Sequence, residues 1–190
     1  MNVDNKDLAI LDLLQYRGRM TTTEVAQQVN LSDTPCLRRI KKLEQEGIIK
    51  GYQAILDREK LNLSILVYAL VRLNANSDKL ADEFESEVEA LEQVMECSVI
   101  TGSYDYLLKI VAKDLSHYES FVKKSLGQIS SIAAIESTVV LKQTFSRNQL
   151  PLWATSAYLV CDKSLSNKYK SNKIHSALSE TRNTKPLLRL

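Results

Sequence analysis

The chain has 190 residues, with 25 Lys/Arg against 23 Asp/Glu and 44% hydrophobic content, enough for one medium or two small globular domains. No apolar run approaches the ~20 residues needed to span a bilayer, and no basic-then-apolar leader opens the chain, so a cytoplasmic protein without membrane association is expected. Cys36, Cys97 and Cys161, with His117 and His175, lack the close spacing of a metal site or disulfide framework, so no metal and no cofactor are expected.

Asp4 to Leu14 reads as a helix, with Leu8, Leu11 and Leu14 repeating and acidic Asp4 and Asp7 in its first turn, where the helix dipole favours them. Thr21 and Glu24 form a capping box that opens a short second helix through Val25, Ala26 and Val29. Asn30 tolerates the left-handed backbone that ends helices. A third helix is expected over Ser32–Glu46, capped by the Ser32 side chain, with Pro35 early enough to cost little and Gly47 as its stop. At ~100° per residue, Cys36, Leu37, Ile40 and Leu43 face inward, while Thr34, Arg38, Lys42 and Gln45 project outward and Arg39 and Lys41 flank them. Leu8, Leu11, Val25, Val29, Leu37, Ile40 and Leu43 are the expected core of a helix-turn-helix head. A short basic helix of that kind has the shape and charge to lie in a major groove. Ile48 to Leu56 suits a small strand or wing, and residues 57–64 a hinge.

The second half alternates. Ile65–Leu73 is an apolar strand, and Ser77–Leu91 a helix with Leu80, Phe84, Val88 and Leu91 on one face. Val94–Thr101 and Asp105–Ala112 are strands around Gly102-Ser103-Tyr104. Ser116 opens a helix, with a capping box to Glu119 and a face of Tyr118, Val122 and Leu126, and Ile135–Lys142 is a last strand. The order βαββαβ predicts a ferredoxin-like sheet with both helices on one face, and the bare face calls for a second copy of the chain. The fold class is therefore α+β, a winged helix-turn-helix head followed by a ferredoxin-like domain, with divisions at 1–60, 61–150 and a tail at 151–190.

Charge is uneven along these segments. Residues 1–60 carry ten Lys/Arg against nine Asp/Glu, residues 61–150 eight against twelve, and residues 151–190 seven against two. A nearly neutral head attracts phosphate only through the placement of its charges, so DNA affinity should be salt-sensitive and need at least two heads. The tail's Ser, Asn and Lys content suggests disorder, leaving it to add phosphate contacts, to pack on a neighbour through Thr184 to Leu190, or to be dispensable.

The string Leu31-Ser32-Asp33-Thr34-Pro35-Cys36-Leu37-Arg38-Arg39-Ile40, with Leu43-Glu44 and Gly47-Ile48-Ile49-Lys50-Gly51-Tyr52, resembles the signature of the Lrp/AsnC (feast/famine) transcriptional regulators. Asp4, Asp7, Ile10-Leu11, Leu14-Gln15 and Gly18-Arg19 fit that family's first helix and turn, and the resemblance runs to about residue 150 of 190. Asn30 departs from the family's usual Gly.

The resemblance implies double-stranded DNA as partner, and a homodimer packed sheet to sheet that stacks into tetramers or octamers. The expected DNA-binding set is Thr21, Thr22, Ser32, Thr34, Pro35, Arg38, Arg39, Lys41, Lys42 and Lys50. Of these, Thr34, Arg38 and Lys42 would meet base edges, and some of Arg38, Arg39, Lys41, Lys42 and Lys50 would meet phosphates. Gly102-Ser103-Tyr104-Asp105-Tyr106 looks like the family's loop for a small amino-acid effector. Backbone amides there can receive a carboxylate and Asp105 an ammonium group, with Ser137 and Thr138 adding hydroxyl contacts; a hairpin turn whose Tyr104 and Tyr106 merely pack is the competing account. The family more often has Thr where Ser137 stands.

No Gly-rich phosphate loop, Ser/His/Asp set or metal motif marks an enzyme. The rival readings are an amino-acid-binding module acting on a protein partner and a small enzyme on the sheet. Neither accounts for the helix pair, the basic face and the hinge together.

Overall fold

The computed structural model describes residues 3–75 and 77–152. The expectations for the tail fall outside the described residues from 153 onward. The chain forms two compact units, one running to Gln53 and rejoined by the chain from Arg147, the other Ala54–Ser146.

In the first unit α1 (Asn5–Tyr16), α2 (Thr22–Val29) and α3 (Asp33–Gln45) follow one another closely. Local side chains set their starts. Asp4 accepts from the Asp7 amide at 2.9 Å while Asp7 accepts from the Asp4 amide at 3.2 Å, a complete capping box. Thr21 and Glu24 make a second box at α2. Asn30 ends α2 in the left-handed region (φ 54, ψ 57), and the Leu31 amide reaches back to the Ala26 carbonyl at 2.9 Å. Gly47 (φ 70) stops α3 and returns Ile48 and Ile49 onto the Leu43 carbonyl. The core is Ile10, Leu13, Leu14, Val25, Ala26, Val29, Cys36, Ile40 and Leu43, with Leu11, Leu31, Ile48 and Ile49 partly buried against it.

Three expectations are corrected here. Ser32 caps α3 by backbone geometry only and makes no side-chain cap bond; Thr23 instead donates to Asp33 at 2.8 Å, tying the start of α3 to that of α2. Leu37 is 41% exposed, because the buried arc of α3 is centred on Cys36, Ile40 and Leu43. No strand forms over Ile48 to Leu56; the segment is anchored by Ile48 and Ile49 and by Tyr52, whose hydroxyl donates to Glu44 at 3.0 Å. Burial and the Glu44 hydrogen bond push the Tyr52 phenol up to about 12.

The second unit is a four-stranded antiparallel sheet of order β2-β3-β1-β4, from β1 (Ile65–Leu73), β2 (Val94–Val99), β3 (Tyr106–Ala112) and β4 (Ile132–Val139). Helices α4 (Asp78–Glu89) and α5 (Leu115–Lys124) complete the βαββαβ order, with a 3₁₀ turn at Leu126–Gln128. One set of alternating side chains, Val67, Ala69, Val71, Tyr106, Leu108 and Ile110, packs with Phe84, Val88, Tyr118, Phe121 and Leu126 from the helical layer. Burying each such Leu, Ile or Phe side chain contributes about 1.5–3 kcal/mol. The opposite set runs through the pairs Leu66–Val111, Tyr68–Lys109 and Leu70–Leu107, all buried or half-buried.

Two boundaries move. α5 is capped by Asp114, which accepts from the His117 amide at 2.7 Å, and not by Ser116. β4 begins at Ile132, opposite Leu73, and ends at Val139. Residues 57–64, expected as a hinge, carry local turn structure. The Leu63 amide bonds the Arg58 carbonyl at 2.8 Å, the Lys60 amide bonds Asp57 at 3.2 Å, and Asn62 takes a left-handed conformation.

Candidate nucleic-acid interface and effector loop

The outward face of α3 carries Thr34, Leu37, Arg38, Lys41, Lys42 and Gln45, all exposed. They are set out from the core by Cys36, Ile40 and Leu43 on the opposite side. Among the described residues, Arg38, Lys41 and Lys50 have no ion-pair partner, while Lys42 lies 3.8 Å from Glu46 one turn on, a weak exposed pair. Thr21 and Thr22 stand at the start of α2, but the Thr21 amide and hydroxyl are both taken by Glu24. That pair of hydrogen bonds holds the Glu24 carboxyl below its usual value. Ser32 and Pro35 open α3, exposed and half-buried respectively.

Arg39 differs from its neighbour. Its Nη1 donates to Asp4 at 2.6 Å and to Asp7 at 2.7 Å, clamping α3 to the capping box of α1. Its hydrogen bonds to the Asp7 and Asp4 carboxylates raise the guanidinium's pKa. Partial burial acts to raise the Asp4 carboxyl, but the Asp7 amide and the Arg39 guanidinium outweigh it and hold the group below its ordinary value. The sequence signal was available in Asp4 and Asp7, which are more than dipole partners; they are the counter-charges of a buried-side arginine.

The expected effector residues divide between the two faces of the sheet. Gly102 takes φ +125, a backbone that favours glycine, with Ser103 exposed beside it. Tyr104 donates to Glu136 at 2.5 Å, a bond that raises the tyrosine's pKa. Asp105 accepts from the Leu73 amide at 2.8 Å where β1 shifts register, so one of its oxygens is already a structural stitch. Tyr106 lies in the helix-side core, with its ring centroid 4.5 Å from that of Phe84 and its hydroxyl donating to Glu85 at 2.8 Å. Burial, with that hydrogen bond, pushes its pKa well up. Ser137, opposite Ala69, shares a 2.6 Å hydrogen bond with Tyr118 on the same side. Thr138, opposite Tyr68, belongs to the other face with Glu136. Glu136 was not foreseen, although its place two residues before Thr138 puts the two side chains on one face.

Fold and surface together define a two-part protein, a helix-turn-helix with an exposed basic ridge joined to a ferredoxin-like domain. Residues 3–50 match the winged helix-turn-helix DNA-binding model and residues 66–150 the Lrp/AsnC ligand-binding domain model. The leucine-responsive regulatory protein of Klebsiella pneumoniae is 35% identical over 149 residues, 78% of this chain and 91% of its own length. The Escherichia coli K12 protein of that name is 34% identical over the same shares. Among solved structures, a Neisseria meningitidis transcriptional regulator in complex with L-Met matches with TM-score 0.76 at 34% identity, over 80% of this chain and 97% of that one. An AsnC-family regulator from Agrobacterium tumefaciens matches with TM-score 0.75 at 33% identity, over 78% and 97%. The chain belongs to the Lrp/AsnC family of DNA-binding transcriptional regulators. It is not of an enzyme family, and among the described residues no helix is long and apolar enough to cross a membrane.

Proposed function

We propose that two copies of this chain place their α3 helices in successive major grooves, roughly 10 bp apart or a multiple of that. Thr34, Arg38 and Lys42 meet base edges; Lys41, Lys50 and the start of α2 at Thr21 and Thr22 meet phosphates. Arg39 is assigned to holding α3 on α1, leaving Arg38 as the principal base reader. The observation that carries this is the contrast between the adjacent arginines, one tied to Asp4 and Asp7 and one exposed without an ion-pair partner among the described residues.

The head of residues 1–60 and the sensor of residues 61–150 then work together in the cytoplasm. The sheet face of Tyr68, Leu70 and Leu107 is covered by a second copy, and further stacking of dimers gives the higher assembly. A small amino acid, by analogy with the leucine of the relatives' name and the L-Met of the Neisseria complex, is bound by the Gly102–Asp105 loop near Thr138. Backbone amides take its carboxylate; the carboxylates of Asp105 and Glu136 face its ammonium. Tyr106 and Ser137, engaged with Glu85 and Tyr118, brace the loop's strands without touching the ligand. By linkage, whatever the amino acid does to DNA affinity, DNA does equally to the affinity for the amino acid.

The test is site selection from random duplexes, followed by fluorescence-anisotropy titration of the selected site. Arg38→Ala should lose at least about tenfold in affinity and relax the preference at one position per half-site. Full affinity and unchanged preference in Arg38→Ala would remove its assignment as a base reader.

A further inference from the structure

Leu37 is the one large apolar side chain on the outward face of α3. It is the fifth residue of the helix (Asp33–Gln45), 41% exposed, and absent from the packing around the head's core. Thr34 stands one turn before it and Lys41 one turn after, so the three form a single strip, with Arg38 at its side. Recognition helices contact base edges mainly through their N-terminal half. An apolar group held there has one apolar counterpart in the major groove, the C5-methyl of thymine. We propose that Leu37 reads a thymine methyl, which makes it a specificity-determining residue beside the polar base readers.

The inference rests on the groove placement of α3 argued above, and its test separates the two. Duplexes carrying the selected site are prepared with each thymine replaced in turn by uracil, which removes only the methyl, and titrated with wild-type protein, Leu37→Ala and Leu37→Gln. Wild-type protein is expected to lose about fourfold in affinity at one thymine per half-site, the worth of one methyl-sized apolar group. Both variants should be indifferent to that replacement while keeping the wild-type melting temperature and salt slope. A wild-type protein that binds its site selectively but ignores every uracil would overturn the role of Leu37 alone. So would an undiminished uracil effect in both variants. If wild-type protein selects no site at all, the groove placement falls and the role of Leu37 with it.

Discussion

Arg38 and Arg39 are adjacent and chemically identical, yet their surroundings give them opposite tasks. Arg39→Ala removes the cation held against both Asp4 and Asp7, leaving the buried Asp7 carboxylate without that partner. The loss should be about 1–2 kcal/mol of head stability after discounting for the half-exposed Asp4, seen as a lower thermal midpoint. Arg38→Ala, on an exposed face, should leave the midpoint unchanged and act on DNA binding. The same cluster sets a pH dependence. The folded-state pKa of Asp4 lies below the ordinary 3.8, so its contribution is fully present above that value and is lost as pH falls through the lower folded value. Melting curves from pH 5 down to pH 2 should show that loss, and Asp4→Asn, which keeps the cap oxygen, should flatten it.

Elements with local signals are where sequence and structure agree. The capping boxes at Asp4 and Thr21, the left-handed Asn30 and the Gly47 stop are each decided within a turn of chain, so the three helices of the head are legible residue by residue. Non-local pairing decides the rest. β4 starts at Ile132 because Leu73 of β1 is there to receive it, and nothing within β4 records that. Leu37 fits the helical period of a core position by hydrophobicity, yet the inward arc is narrower than that period alone implies. For the effector set, the period of two along β4 was itself the missed signal, since it separates Ser137 from Thr138 at once. One further element-scale consequence concerns the turn after α5. A Cβ at Gly127 would lie 2.7 Å from the Val122 carbonyl oxygen, so Gly127→Ala should destabilise the sensor by about 1–3 kcal/mol. A denaturant titration followed by tryptophan-independent circular dichroism would read this as a lower midpoint with an unchanged slope.

Across the whole molecule, each unit carries a surface assigned above to a partner: the exposed basic face of α3, and the half-buried sheet face of Tyr68, Leu70 and Leu107. Leu107→Glu, opposite Leu70 in that face, should convert the assembly toward monomer in analytical ultracentrifugation and weaken DNA binding by removing the second head, without touching a DNA-facing residue. The most direct test of the account is a mobility-shift titration of the full chain on the DNA upstream of its own gene, at two salt concentrations, with and without a pool of the common amino acids. The account predicts a sequence-preferring shift that weakens steeply with salt and changes when the pool is added. No shift at low salt would contradict it, and would turn attention to a protein partner for the helical head.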